Sequence, residues 1–172
     1  MDQHPIIFLD FDEVLVLNRE GSLGGYDLLA SDPPPELWST LFEPTAVGVL
    51  LDVLEQFDAR VVLTTSWRHF MLRDAFEQLF SRTGLSQIAR ALHEAWETPL
   101  ERGDSRCGAI DRWLGEHHLG EPYIILDDEL SGTGLRGSRH DDAARVVLCD
   151  QELGLRRHQL PFIRAALSTR PR

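Results

Sequence analysis

Residues 6–15 read IIFLDFDEVL, an apolar run that ends in two acids one residue apart. The run has the composition of a strand buried on both faces, with Asp10 and Asp12 at its carboxyl end. Because alternate residues of an extended strand point to the same face, the two carboxylates are expected to converge. Such a pair suits a hard cation such as Mg²⁺, and it also suits a nucleophile beside an acid/base. The alternative interpretation is an ordinary turn that contains aspartate.

Two further apolar runs end in polar residues of a similar kind. Residues 60–67 read RVVLTTSW, and residues 123–129 read YIILDDE. In an open parallel sheet, ligands bind beyond the carboxyl ends of the strands. Three neighbouring strand ends that carry acids, hydroxyls and acids are therefore expected to form one site.

The apolar pattern alternates strands with helices, which predicts an α/β protein with a doubly wound, Rossmann-like parallel sheet and flanking helices. Strands are predicted over 5–12, 60–65, 122–127 and 145–149. Helices are predicted over Pro44–Phe57, 68–80, 105–116 and about 161–167. For residues 84–100 the pattern leaves a short helix and a short edge strand open.

The length of 172 residues predicts a single domain over 1–172, with a frayed tail at about 168–172. Residues 16–44 are rich in Gly and Pro and lack a helical or strand period, which predicts a long loop or flap. That segment and residues 81–103 are too short for a large cap domain. We therefore expect an open site that admits a bulky substrate.

The order of these motifs resembles that of the haloacid dehalogenase (HAD) superfamily of phosphotransferases, over residues 6 to about 165. The resemblance implies that Asp10 is the nucleophile and Asp12 the acid/base. It implies a Mg²⁺ ion held by Asp127 with Asp128 in support, together with Asp10 and Asp12. The family usually has Gly where this chain has Glu13, which leaves the shape of the following loop open.

The same resemblance implies a phosphate-binding hydroxyl at Thr65, followed by Ser66, which is also the expected cap of the next helix. The superfamily most often adds a lysine that neutralises the phosphate, but this chain contains no lysine. Arginine must then take that role, and Arg106 lies where the basic residue of the family lies, with Arg102 as the competitor. An arginine binds phosphate through a planar fork and does not lose its charge.

Smaller features are similar to the branch of that superfamily found in Swiss Army Knife RNA-repair proteins. They are the TSWR sequence at 65–68, Arg106 ahead of Ile110 and Trp113, and ILDDE at 125–129. The resemblance implies a Mg²⁺-dependent phosphohydrolase that forms an aspartyl-phosphate and acts on a nucleotide or the terminal phosphate of a nucleic acid, RNA above DNA. The alternatives are a phosphatase of small metabolites or sugar phosphates, and a non-catalytic interaction domain.

Two residues after the phosphate-binding turn are candidate substrate contacts. Trp67 can stack a base and Arg68 can bind a second phosphate. The alternative is that Trp67 belongs to the core and Arg68 is a solvated helix residue. Asp141 and Asp142 are expected in a charged loop, and no histidine shows metal-ligand spacing.

The net charge of −11 excludes binding to nucleic acids or anionic membranes through the overall field of the protein. A nucleic-acid contact must then come from a local basic patch and is expected to be confined to an end. No signal peptide and no membrane-spanning run is visible, so a cytoplasmic enzyme is the expectation. The sequence does not specify an oligomeric state.

Overall fold

The computed structural model describes residues 4–99 and 103–169 and is built around a sheet of five strands. The strands are β1 (Ile6–Leu9), β2 (Arg60–Leu63), β3 (Leu92–Glu97), β4 (Tyr123–Asp128) and β5 (Val146–Cys149). They are ordered β3-β2-β1-β4-β5, and every pairing is parallel. The predicted doubly wound α/β sheet is confirmed.

The helices flank this sheet on both faces. They are α1 (Leu37–Thr40), α2 (Pro44–Phe57), α3 (Arg73–Arg82), α4 (Ser86–Ala91), α5 (Arg106–His117), α6 (Arg139–Asp142) and α7 (Leu160–Ser168). The bounds of α2 are those predicted, because the Glu43 side chain accepts a hydrogen bond from the amide of Ala46 at 2.7 Å and Asp58 turns left-handed at the end. None of the helices within the described ranges is long and apolar enough to cross a bilayer.

Several predicted boundaries were wrong. The first strand stops at Leu9, so the two acids lie in the loop beyond it. The helix predicted over 68–80 is a 3₁₀ turn at Ser66–His69, followed by α3. The ambiguous segment holds both the short helix and the short edge strand, since β3 lies at one edge of the sheet.

The register of the central strands brings the polar strand ends together. Leu9 pairs with Leu63 of β2 on one side and with Leu126 of β4 on the other. The residues that follow these three therefore lie side by side at one edge of the sheet. The side chains of β1 pack on both faces of the sheet. On the face that carries Phe8, its ring packs edge-on against that of Trp113 in α5, with 5.2 Å between the ring centroids.

The predicted flap is more structured than a loop. It contains a 3₁₀ turn at Gly25–Leu29 and the short helix α1. Leu23 and Leu28 are half-buried and pack against the core. In the part of the chain that the structure describes, no insertion forms a separate cap domain.

The conformation of Glu13 explains how the chain does without glycine at this position. Its φ of 59° lies in the left-handed region, which disfavours residues other than glycine. The buried Glu13 carboxylate compensates by accepting hydrogen bonds from the amides of Asn18 and Glu152. The side chain thus joins the turn after the first strand to the flap and to the loop after β5.

We expect Glu13→Ala to lower the free energy of unfolding by about 2 kcal/mol, because two hydrogen bonds to a carboxylate are lost while the left-handed backbone remains. Glu13→Gly loses the same bonds but relieves about 1 kcal/mol of backbone strain, so it should be the less destabilising change. Urea unfolding of the two variants measures the difference. Equal stabilities would contradict this account of the strain.

Asp141 and Asp142 belong to α6 rather than to a loop, and their neighbour His140 is buried. The His140 ring bonds to the Tyr123 hydroxyl at 2.7 Å and to the carboxylate of Asp111 at 2.8 Å. The thiol of Cys107 lies near enough to complete a group with metal-ligating chemistry. Sequence spacing did not indicate this group because its members come from two helices, α5 and α6. In the structure, Asp111 is also paired with Arg139.

Burial lowers the pKa of His140, although Asp111 opposes the change. Histidine in the unfolded chain has a pKa of about 6.5, so as the pH falls the unfolded chain takes up a proton at this position before the folded protein does. The free energy of unfolding should decrease as the pH drops through that value towards the folded pKa below it. Denaturant unfolding between about pH 7.5 and 5 should show a smaller decrease for His140→Gln than for the unaltered protein. The exposed His158→Gln serves as the surface control variant.

Candidate active site

Three buried carboxylates meet at the carboxyl ends of the central strands. Asp10 follows β1, and Asp127 and Asp128 close β4, each with no more than 1% of its surface exposed. One oxygen from each lies within 4.8 Å of the others, and Oδ2 of Asp10 and Oδ2 of Asp128 have no hydrogen-bond partner. Buried carboxylate oxygens without partners are costly, so the arrangement calls for a cation.

Arg106, at the start of α5, supplies one positive charge to this group. Its Nε lies 2.9 Å from Oδ2 of Asp127, and one terminal nitrogen lies 3.3 Å from Oδ1 of Asp10. Ser105 caps the helix by accepting a hydrogen bond from the amide of Gly108 at 3.0 Å. The structure thus places Arg106 beside the expected nucleophile, whereas its competitor Arg102 lies outside the described residues.

One guanidinium does not neutralise these acids. Burial and the repulsion of Asp127 raise the pKa of Asp10 well above its usual range, against the opposing effect of Arg106. Burial likewise raises the pKa of Asp127 to about 6, again against Arg106. Oxygen ligands with a surplus of negative charge fit a hard divalent cation such as Mg²⁺, and the residues that would hold it are Asp10, Asp127 and Asp128.

The Asp12 side chain is held apart from that group. Its Oδ2 accepts a hydrogen bond from the indole Nε1 of Trp67 at 2.9 Å. Burial raises the pKa of Asp12, while hydrogen bonds from Trp67 and Asn18 oppose the rise. Asp12 is therefore not one of the three carboxylates that lie within 4.8 Å of one another, and its role as a metal ligand stays a prediction.

Trp67 does not offer its ring to the solvent. Only 2% of its surface is exposed, and its ring packs edge-on against Phe11 with 5.2 Å between centroids. Stacking of a base on this indole is not supported, because both its faces are covered by the protein. Its role in the structure is to orient Asp12.

Arg68 is also buried, so the predicted solvated surface position was wrong. It lines the polar cleft described below, and its role as a substrate contact stays a prediction. Its guanidinium donates to the carbonyl oxygens of Thr64, Thr65 and Thr98, at 3.0 and 2.7 Å for the first two. Burial lowers its pKa to about 10. Arg68 thus joins the turn after β2 to the segment after β3.

Thr65, rather than Ser66, caps the 3₁₀ turn, so the expected cap was wrong. The Thr65 hydroxyl oxygen accepts a hydrogen bond from the amide of Trp67 at 3.3 Å, which leaves the hydroxyl proton available for a ligand. Thr65 is fully buried, whereas Ser66 is exposed at the margin of the adjacent cleft.

A polar cleft of about 210 Å³ leads to Arg106 from the solvent. Its walls carry hydroxyl and imidazole groups from Ser66, His69, Ser105, Ser131 and Thr133. The Thr133 hydroxyl also accepts a hydrogen bond from the amide of Arg106 at 2.8 Å. The sequence did not indicate His69, Ser105, Ser131 or Thr133 as site residues. The only signal for Ser131 and Thr133 was their place in the Ser- and Gly-rich segment 131–134, directly after the acid pair.

Comparison with known families agrees with this geometry. The family model described as the HAD domain in Swiss Army Knife RNA repair proteins matches residues 6–160. No curated protein and no solved structure shows significant similarity to the chain. The matched region includes all three strand ends and Arg106.

Trp67→Phe should raise the pKa of Asp12, because the indole donor that favours the ionised carboxylate is lost while most of the ring remains. The pKa is measured by carboxyl ¹³C NMR titration without added metal. Trp96→Phe is a matched control, since Trp96 packs against Phe76 instead. An unchanged or lower pKa of Asp12 in Trp67→Phe would show that the indole does not stabilise its ionised form.

Proposed function

Because the chain belongs to the family of HAD domains found in Swiss Army Knife RNA-repair proteins, we propose that it is a Mg²⁺-dependent phosphohydrolase. The observation that carries the proposal is the group of three buried carboxylates beside Arg106, with two unpaired oxygens. A structural role for these acids would call for hydrogen-bond partners, which these oxygens lack. Catalysis of phosphoryl transfer, in contrast, needs charge neutralisation at such a position.

The metal would be held by Asp10, Asp127 and Asp128. When bound, it supplies charge neutralisation for the phosphate oxygens and favours the ionised form of Asp10. Arg106 adds a second, permanent positive charge on the cleft side of the same carboxylates. Thr65 contributes its hydroxyl proton as a donor to a phosphoryl oxygen.

The reaction has two steps. An oxygen of the Asp10 carboxylate attacks phosphorus, the bond to the leaving oxygen breaks, and protonated Asp12 donates its proton to that oxygen. The carboxylate of Asp12 then takes a proton from water, whose oxygen attacks the phosphorus of the aspartyl-phosphate. This step releases inorganic phosphate and restores Asp10. The indole of Trp67 orients the carboxyl group of Asp12 for this proton transfer through Oδ2.

The proposed substrate is a nucleotide or the phosphorylated end of a nucleic acid, RNA above DNA. Its support is the family match, together with the absence of a cap domain within residues 4–99 and 103–169. The net charge of −11 disfavours long contacts with a polyanion, so binding is confined to the terminal phosphate and one or two nucleotides. The competing substrates are sugar phosphates, which the hydroxyl-lined cleft also suits.

Asp10→Asn should lower phosphate release from an aryl phosphate in Mg²⁺ by about a thousandfold or more, or about 4 kcal/mol of transition-state stabilisation. The physical reason is that an amide oxygen is a poor nucleophile. Asp74→Asn on the exposed surface of α3 is the control and should retain full activity. Acid quenching during turnover should trap phosphate on Asp10.

Three results would count against the proposal. Near-normal activity of Asp10→Asn would exclude the aspartyl-phosphate. A lack of both Mg²⁺ binding and activity on every phosphate ester would favour a non-catalytic domain. If sugar phosphates exceed nucleotides and oligonucleotide ends by more than about tenfold in kcat/KM, the metabolite alternative replaces the proposed substrate.

A further inference from the structure

The flap exposes a large aromatic side chain close to the site. Tyr26 is 90% exposed and Leu29 is 55% exposed, and both lie in the 3₁₀ turn Gly25–Leu29. Residues three apart in such a turn stand on the same side, so the two side chains form one outward apolar face. The exposure does not result from a loose loop, because Leu23 and Leu28 pack against the core from the same segment.

Hydrogen bonds hold the flap as well. The Arg19 guanidinium donates to the carbonyl oxygen of Glu152 at 2.6 Å, and the Ser22 hydroxyl donates to the carbonyl oxygen of Leu17 at 2.9 Å. The Asp27 carboxylate accepts from the amide of Gly24 at 2.7 Å. Tyr26 is therefore presented by an ordered backbone, which reduces the entropy lost when a ligand binds to it.

Contacts of the preceding residue, Gly25, place this part of the flap against the indole that binds Asp12. The backbone at Gly25 rests on the indole of Trp67 so closely that a Cβ there would lie 2.7 Å from the ring. The same indole holds Asp12 at 2.9 Å. The Cα of Tyr26 lies ~3.8 Å from that of Gly25, so its side chain starts within one nucleoside length of Asp12.

A second exposed aromatic residue packs against this indole. The Phe70 ring has its centroid 6.2 Å from that of Trp67 and is 40% exposed. Trp67 thus contacts both the flap, through Gly25, and the turn after β2, through Phe70. Exposed aromatic side chains stack nucleobases without sequence preference, because every base has a flat π face.

We propose that Tyr26, together with Phe70, binds the nucleobase of the leaving group. The proposal rests on the proposed function, because it requires Asp12 to protonate the leaving oxygen. The phosphoryl group is then bound beside the ion pair of Asp10 and Arg106, and the leaving nucleoside lies on the Asp12 side, where the flap presents Tyr26. The aromatic surface takes the base that Trp67, being buried, does not reach.

The test compares substrates that differ only in the base. In the unaltered protein, kcat/KM for a nucleoside 5′-monophosphate should exceed that for ribose 5-phosphate by about tenfold or more, the effect expected of one stacked base. Tyr26→Ala should remove most of this preference by raising KM for the nucleotide, with ribose 5-phosphate unchanged. Tyr26→Phe should restore it. The exposed aromatic Phe162 of α7 supplies the matched control, Phe162→Ala, with no expected change.

A second pair of substrates distinguishes the source of the base. Oligoribonucleotides with a 5′- or 3′-terminal phosphate are compared with the same chains carrying an abasic terminal residue. A nucleic-acid end is supported if removal of the terminal base lowers kcat/KM in the unaltered protein and this difference between the two oligonucleotides is absent in Tyr26→Ala. The same result with mononucleotides alone supports a free nucleotide.

The failure of this inference differs from the failure of the proposed function. Hydrolysis of nucleotides and ribose 5-phosphate with equal kcat/KM, or a preference that survives in Tyr26→Ala, overturns the base-binding role and leaves the phosphohydrolase intact. If no ester is hydrolysed, calorimetric titration with adenosine monophosphate and ribose 5-phosphate still decides whether the base contributes to binding. Equal affinity for the two compounds then overturns the inference.

Discussion

The structure depends on the burial of acid at the ends of two adjacent parallel strands. Asp10 directly follows β1 and Asp127 lies on the neighbouring strand β4, and the backbone amide of Asp10 donates to the carbonyl oxygen of Leu126 at 3.0 Å, so the pairing of the two strands holds the acids together. Arg106 reaches both carboxylates from α5 and partly offsets their repulsion. The raised pKa values of both carboxyl groups follow from this arrangement.

The surrounding contacts orient the groups on which this chemistry would depend. Trp67 fixes Asp12, Thr133 accepts from the amide of Arg106, and Arg68 holds the turn that carries Thr65. The first two bonds join residues that are far apart in the chain, whereas the bond of Arg68 lies within the turn itself. The site is thus supported by the ends of β1, β2 and β4 together, and no single loop carries it.

The sequence was sufficient for features that depend on local chemistry. The helix α2 was predicted with its observed bounds because Pro44 and an apolar stripe at helical spacing are local determinants. The strand ends were predicted because apolar β-branched runs stopped at polar groups. Arg106 was placed beside the acids only through a family resemblance, since nothing in its neighbourhood of the sequence indicates which carboxylates it meets.

The errors share a physical cause, which is contact between residues distant in the chain. The sequence left Trp67 open between a substrate contact and the core and did not show that Arg68 is buried, because their partners, Asp12 and Thr98, are not neighbours in sequence. The group of Cys107, Asp111 and His140 was missed for the same reason. The strain at Glu13 was not visible either, because its relief comes partly from Glu152, at the far end of the chain.

The strand order has a consequence for how the site comes into being. β1 pairs with β2 and with β4, and most of the chain separates Asp10 from Asp127. During synthesis Asp10 emerges long before Asp127. Its carboxylate therefore stays hydrated, without the raised pKa of the folded state, until β4 pairs with β1. Pairings of such high contact order form slowly. The repulsion between the carboxylates of Asp10 and Asp127 therefore arises at a late step of folding, when enough of the sheet has formed to keep the two acids together.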